Sequence, residues 1–180
     1  MLGWLKKLGE RRKKQKVQNE LLIEATKMSD IESVKKCLDL GANPNNAYNE
    51  EGFSPLHIAV IREDLAIIEA LLKAKAIISI KKRGEGTGKE PLHVAAIRGN
   101  QNVIEALLTA GAGIDRRCSD GCTALMHAAQ NGHGGAVALL VAAGANRNIG
   151  MPFAGKSATP AQVARIFKHN EIADFLDSIT

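Results

Sequence analysis

One stretch of the sequence spells a phosphate-binding loop. Residues 150–157 contain a Gly, four further residues and then Gly-Lys-Ser, a pattern in which backbone amides and a helix N-terminus cradle phosphate. The motif needs a helix that begins at its Lys and Ser. The next helix start, however, is Thr159 with Pro160, a capping residue and a first-turn proline. We therefore predict a surface loop and no cofactor, and an ATP-dependent enzyme remains an alternative only at this loop.

A second group of residues has the chemistry of a metal site. Cys118 and Cys122 flank three residues, and His127 and His133 lie downstream. A thiolate pair with an imidazole can hold zinc. The spacing of three is not that of the usual zinc knuckle, and the third cysteine is distant, so no disulfide framework is indicated. No metal ligand is predicted, and the sequence leaves a redox or metal role for Cys118 and Cys122 open.

The charge of the chain is unevenly distributed. Of the net +5 carried by 180 residues, residues 1–16 supply seven Lys or Arg and one Glu, a sum of +6, so the other residues sum to −1. A folded body with this balance gives little support for nucleic-acid binding. We expect no specific nucleic-acid partner.

The composition favours a folded chain in a reducing compartment. Hydrophobic residues make up 45% of the chain and aromatic residues 3%, so Ala, Leu and Ile must form the core. No apolar run approaches the roughly 20 residues that cross a bilayer, and nothing resembles a secretory signal. We expect a cytoplasmic protein.

Three ladders of residues recur along the chain in one register. Each ladder steps by 34, 36, 33 and 36 residues. The ladders are Leu22, Leu56, Leu92, Leu125 and Ala161; Ala25, Ala59, Ala95, Ala128 and Ala164; and Cys37, Leu71, Leu107, Leu140 and Leu176. They predict a repeated unit of about 33 residues that buries its apolar face only by stacking on its neighbours.

Each unit is predicted to form two short antiparallel helices. In the third unit Pro91 suits a first helical turn, Gly99 and Asn100 interrupt the helix, and residues 103–110 follow with one apolar face. Gly111 then fits the left-handed residue that ends a helix.

Four segments share one short pattern. They are SPLHIA at 54–59, EPLHVAA at 90–96, TALMHAA at 123–129 and TPAQVA at 159–164, and the turns GAN, GAG and GAN stand at 41–43, 111–113 and 144–146. These segments are similar to the TPLHxA signature and closing turn of ankyrin repeats, and the resemblance covers roughly residues 19–180. It implies an all-α solenoid of helix pairs joined by β-hairpin-like fingers.

The predicted organisation has two parts. A basic amphipathic segment spans residues 1–18, and an ankyrin-repeat domain spans residues 19–180. Its five repeats are expected at approximately 19–48, 49–84, 85–117, 118–150 and 151–180, and the first and last are atypical caps.

Two residues depart from the family pattern. Lys75 stands where Gly41, Gly111 and Gly144 close the other repeats, and a non-glycine in the left-handed conformation costs about 1 kcal/mol. Glu90 replaces the hydroxyl residue that begins the other repeats, and it is a poorer helix cap.

The resemblance implies a binding function without chemistry. It suggests that His57 and His93 fix a finger to a helix by hydrogen bonds, and no nucleophile or carboxylate recurs beside them. We predict a non-enzymatic protein–protein interaction module, an adaptor or scaffold, whose concave face and fingers bind a protein partner. We expect a monomer.

The family register assigns the residues that follow each alanine pair to the concave face. They are Lys27 and Met28, Ile61 and Arg62, Ile97 and Arg98, Gln130 and Asn131, and Ile166 and Phe167. We call these pairs the recognition row. Exposed apolar residues beside Arg are typical of contacts, although Ile61 and Ile97 packing under the fingers is the alternative.

The fingers differ in charge. Residues 42–54 sum to −2 and residues 76–90 to +2. The basic side comprises Lys81, Lys82, Arg83, Arg116 and Arg117. It indicates a partner with an acidic patch that is steered towards these fingers, and fingers that are merely solvated are the alternative.

The N-terminal segment could contact a membrane. Trp4, Leu5 and Leu8 fall on one side of a helix, and Lys6 and Lys7 lie opposite, as in surface-bound amphipathic anchors. A disordered start, a helix that caps the first repeat and an import signal are alternatives. The alternative function is therefore a membrane-recruited regulator or secreted bacterial effector that uses this segment for localisation.

Overall fold

The computed structural model describes residues 2–83, 88–153 and 156–179, without the side chains of residues 2–6, 8, 153 and 156. Within these ranges the chain is mostly helical, with ten helices and two short strands. It divides into an N-terminal unit, residues 1–84, and a C-terminal unit, residues 85–180. The expected all-α class is confirmed.

The N-terminal unit consists of two helical hairpins. Its helices are α1 (Leu2–Lys27), α2 (Ile31–Asp39), α3 (Pro55–Arg62) and α4 (Leu65–Lys73). Helix α1 packs against α2 and α3, and α4 packs against α2 and α3. First helices therefore lie beside first helices, and second beside second.

The C-terminal unit continues the same arrangement over three hairpins. Its elements are α5 (Pro91–Arg98), α6 (Gln101–Thr109), α7 (Ala124–Gln130), α8 (Gly134–Ala142), β1 (Met151–Phe153), β2 (Lys156–Ala158), α9 (Pro160–Ile166) and α10 (Asn170–Ser178). Helix α7 lies between α5 and α9, and α6 packs on α8. Strands β1 and β2 form an antiparallel finger in which Met151 pairs with Ala158.

The three ladders form the core. Every ladder residue is buried, with no more than 7% of its surface exposed. The alanines allow neighbouring first helices to approach, and the third ladder fills the space beneath them, so the burial of each hairpin depends on the next one. The stacking predicted from the repeat spacing is confirmed within each unit.

Helix caps explain where most first helices begin. The side chains of Ser54, Thr123 and Thr159 each accept a backbone N–H from the first turn of the helix that follows. Glu90 is different: its carboxylate binds Arg116 at 3.0 Å, and its own N–H donates to Nδ1 of His93 at 3.1 Å. The carboxylate therefore forms a buried ion pair, and Glu90 and His93 together also close a capping box at the start of the helix.

Lys75 adopts the predicted left-handed conformation. Its φ is +61°, whereas Gly41, Gly111 and Gly144 have φ values of +93°, +93° and +91°. Its backbone N–H still donates to the carbonyl of Leu72 at 2.9 Å, so the turn closes with the strain that a Cβ adds.

Helix α1 runs without interruption from Leu2 to Lys27. One helix therefore spans the predicted boundary between the basic segment and the first repeat. Among the described residues, no helix combines the length and the apolarity that crossing a membrane requires.

Candidate functional site

The Gly-Lys-Ser stretch lies in the β1–β2 finger. Lys156 and Ser157 belong to strand β2, and Gly155 lies outside the described residues. Helix α9 begins at Pro160, after its cap at Thr159. The Lys and Ser therefore do not stand at a helix N-terminus, which agrees with the predicted surface loop.

In the N-terminal unit the recognition row lies at the ends of α1 and α3. Met28 is 75% exposed, and Arg62 is exposed with its Nε donating to Ser29 Oγ at 3.3 Å. Ile61 is half-buried, so most of its side chain is not offered to a partner. The exposed residues of the row in this unit are therefore Met28 and Arg62.

In the C-terminal unit the row crosses the adjacent ends of α5, α7 and α9. Arg98 and Asn131 are exposed, whereas Ile97 and Gln130 are half-buried. The last pair, Ile166 and Phe167, presents two apolar side chains that are each 44% exposed. Within the C-terminal unit this pair is the apolar part of the row that solvent reaches most.

Two histidines that the sequence analysis did not assign hold this row in place. His133 Nε2 donates to the carbonyl of Ile97 at 2.8 Å, and His169 Nε2 donates to that of Gln130 at 3.1 Å. Each imidazole thus ties the end of one first helix to the next hairpin. The sequence contained a sign of this shared role, because His133 and His169 are separated by the same 36 residues as Leu125 and Ala161 and so hold equivalent positions in successive repeats.

Of the two signature histidines, His93 behaves as the resemblance implied. His93 Nε2 donates to the carbonyl of Arg116 at 2.9 Å, which fixes the finger to α5, and its burial lowers the pKa of the imidazole. His57 Nδ1 bonds to Ser54 Oγ at 2.8 Å. Both rings are buried and serve structure.

The basic residues of the N-terminal unit partly stack on aromatic rings. Lys82 Nζ lies 4.6 Å from the centre of the Phe53 ring, and the Arg83 guanidinium lies 3.7 Å from that of Tyr48. Such cation–π contacts orient the side chains without neutralising them. Lys81 is exposed.

The basic residues of the C-terminal unit have polar partners. Arg116 pairs with the buried Glu90, and Arg117 donates to the carbonyl of Gly150 at 2.9 Å. Because the Arg116 charge is balanced by Glu90, Arg117 contributes more to the field seen by a partner than Arg116 does.

The structure brings Cys118, Cys122 and His127 together. Their ligand atoms all lie within 4.8 Å of one another, and all three residues are buried. Cys118 Sγ lies 3.7 Å from His127 Nε2, and Cys122 Sγ lies 3.3 Å from Sδ of Met151. His127 is buried at the position in the repeat that Ile58 and Val94 occupy in other repeats.

Burial controls the protonation of this cluster. It raises the pKa of the Cys122 thiol to about 11, with Cys118 adding a smaller effect. It lowers the pKa of His127 to about 4, with His93 and Lys89 adding to the effect. At neutral pH the cluster therefore holds a protonated Cys122 thiol and a neutral imidazole.

The basic segment of α1 is exposed wherever its side chains are described. Lys7 and residues 9–17 are exposed. Trp4, Leu5, Lys6 and Leu8 are helical in backbone, but their side chains lie outside the described residues, so the amphipathic pattern stays a prediction.

Stacked helical hairpins with short fingers define a helical repeat protein, a class in which successive units build an extended surface. Ankyrin repeats, in three copies, match residues 22–118, 74–151 and 92–177. The chain belongs to the ankyrin-repeat family. Ankyrin repeats are generally protein–protein interaction modules and are typically non-catalytic.

Part of this chain is also similar to a segment of a much longer protein. The 2-5A-dependent ribonuclease of Homo sapiens is 38% identical over 69 residues, which are 38% of this chain and 9% of that protein. The chain therefore matches only a small part of that relative's length, within its repeats.

Proposed function

We propose that this protein is a non-enzymatic adaptor or scaffold that binds a protein partner through the recognition row. The observation that carries the proposal is the exposed Ile166–Phe167 pair beside Asn131 and Arg98 on adjacent helix ends. Stacking of the repeats does not use these side chains, because the buried ladders already fill the core.

The energetics favour an anchor at this pair. Burying an exposed Phe or Ile side chain stabilises a complex by about 1.5–3 kcal/mol, and aromatic residues and Arg dominate binding hot spots. The hydrogen bonds from His133 and His169 fix the ends of α5 and α7, so little conformational entropy is lost in this part of the row when a partner docks.

A matched pair of variants tests the anchor. Phe167→Ala removes the exposed ring of the row, whereas Phe175→Ala removes a ring of similar exposure on α10, where it is 40% exposed. With the full chain as bait in quantitative pull-downs, we expect F167A to weaken a defined set of partners by roughly 10- to 100-fold. F175A should retain that set, and equal retention by both variants contradicts the proposal.

The rest of the row and the basic fingers extend the surface. Met28 and Arg62 would supply contacts in the N-terminal unit, and Lys81–Arg83 and Arg117 would attract an acidic partner. Attraction of this kind mainly raises the association rate. The rate should therefore fall as salt rises, while dissociation changes little. We also propose a cytoplasmic monomer, which fluorescence microscopy and light scattering test.

A second candidate function rests on the exposed basic helix. Side chains 9–17 of α1 are all exposed and include Arg11, Arg12, Lys13, Lys14 and Lys16, a charge density that attracts anionic lipids. The fraction of the protein that sediments with phosphatidylserine vesicles should fall when residues 1–16 are deleted. Equal sedimentation by both chains rejects recruitment to membranes.

A further inference from the structure

The finger that precedes α7 carries side chains that the fold itself does not require. Cys118 N–H donates to the Cys122 carbonyl at 3.0 Å, just as Asn49 N–H donates to the Phe53 carbonyl at 2.9 Å in the N-terminal unit. The two fingers therefore have the same backbone design.

The side chains at this place differ completely between the two fingers. In the N-terminal unit Phe53 packs against a cluster that contains Ile23, Ala47 and Ile58. In the C-terminal unit the same positions hold Cys122 and His127. An apolar core is therefore sufficient for the fold, and the donor atoms here need another explanation.

We propose that Cys118, Cys122 and His127 bind a thiophilic closed-shell cation, Zn²⁺ or Cu⁺, with Met151 beside them. Both ions favour thiolate and imidazole ligands.

The spacing of the donor atoms fits such an ion. A tetrahedral ion with bonds of about 2.3 Å to sulfur and about 2.0 Å to nitrogen separates these atoms by about 3.6 Å. The observed distance from Cys118 Sγ to His127 Nε2 is 3.7 Å. The remaining separations do not exceed 4.8 Å, so side-chain rotations without a backbone rearrangement close the triad.

The surroundings are rich in sulfur. Met126 and the half-buried Met151 pack with the two cysteines, and Met151 Sδ touches Cys122 Sγ at 3.3 Å. Met126 stands where His57 and His93 stand in other repeats. A thioether is a soft ligand that suits Cu⁺ better than Zn²⁺, so Met151 distinguishes the two occupants.

Binding needs no oxidant. The ion forms bonds to two sulfurs and one nitrogen, each thiol releases its proton to solvent, and no oxidation state changes. Nε2 of His127 already faces Cys118 Sγ, and the side chain of Gln130 interacts with the imidazole, as outer polar partners of metal-binding histidines do in known sites. Lys89 and Asp120, 3.7 Å apart, are charged groups that act electrostatically on both Cys122 and His127.

The test uses the full chain under anaerobic, reducing conditions. ZnCl₂ and Cu⁺ are titrated separately against a chromogenic chelator for each ion. We expect one ion per chain, lost in Cys118→Ser and Cys122→Ser and kept in Cys37→Ser, which changes a buried cysteine of α2. Gln130→Ala should weaken binding by roughly 10- to 100-fold. Circular dichroism verifies that each variant is folded.

Two further measurements keep the test decisive. Co²⁺ added to the wild-type chain should give the ultraviolet charge-transfer absorption of cobalt–thiolate bonds, and this result depends on no variant. If copper is the natural occupant, Met151→Leu should lower the affinity for Cu⁺ and leave the affinity for Zn²⁺ unchanged. Unchanged affinity for both ions indicates zinc. Absence of a cobalt–thiolate band together with no chelator-competitive uptake of either ion would overturn the proposal, as would uptake that survives both cysteine substitutions.

Discussion

Replacement of His127 by Ile should make the protein resist acid. The imidazole is 5% exposed, and its T-shaped contact with His93 at 5.8 Å places a second titratable ring beside it. Ile58 and Val94 fill the same position in other repeats, so Ile fits there. For the metal-free protein at neutral pH we expect the variant to be about as stable as the wild type, because a volume-conserving change in a core usually costs less than about 1.5 kcal/mol.

The size of the effect follows from proton linkage. The pKa of His127 is about 4 in the folded state against 6.5 for an unburied imidazole. Between these values the unfolded chain binds more protons, so stability falls as pH falls. For one site the relation gives a loss of about 2 kcal/mol from pH 7 to pH 5, rising to about 3 kcal/mol below pH 4.

Urea denaturation followed by circular dichroism at both pH values measures this loss. The wild type should lose about 2 kcal/mol more than His127→Ile. His93, whose pKa is also lowered, titrates in both proteins, and its coupling to His127 is part of the measured difference. Val94→Ile is the matched control and should follow the wild type. If His127→Ile loses as much stability as the wild type, burial of this imidazole is not the cause of acid sensitivity.

Three further substitutions address the turns and the buried ion pair. Lys75→Gly should raise the free energy of unfolding by up to about 1 kcal/mol because it relieves a left-handed lysine; a lower melting temperature contradicts this. Gly132→Ala should lower the free energy of unfolding by about 2 kcal/mol, since the new Cβ would lie 2.6 Å from the His169 ring at a φ of +75°. Urea denaturation measures this free energy, and an unchanged value contradicts the predicted clash. Arg116→Ala should lower the free energy of unfolding by about 2–3 kcal/mol because it leaves the Glu90 carboxylate buried and unpaired. Adding Glu90→Thr should restore most of this stability. A double variant that is no more stable than Arg116→Ala contradicts the ion-pair explanation.

The repeat architecture was accessible from the sequence because its determinants are local and periodic. A ladder at Leu22 or Ala59 reports burial directly, since the same small or branched residue recurs wherever hairpins stack. The strain at Lys75 was equally readable, because a left-handed turn restricts the residue type at one position.

The candidate binding surface was only partly accessible. Its position in the register could be assigned, but Ile61 and Ile97 are half-buried while Ile166 and Phe167 are exposed. Exposure depends on what the next hairpin covers, and a single repeat does not contain that information. The locking role of His133 and His169 likewise arises from carbonyls more than thirty residues away in sequence.

The sequence by itself determined which residues are core, where helices begin and end, and that the units must stack, because periodicity and capping act over a few residues. Tertiary structure alone decided that Glu90 pairs with Arg116 and that the buried residues Cys118, Cys122 and His127 lie together with Met151 beside them. Those contacts depend on how a finger packs over a helix. Small rotations of its side chains decide which atoms come within bonding distance and which charged groups are desolvated.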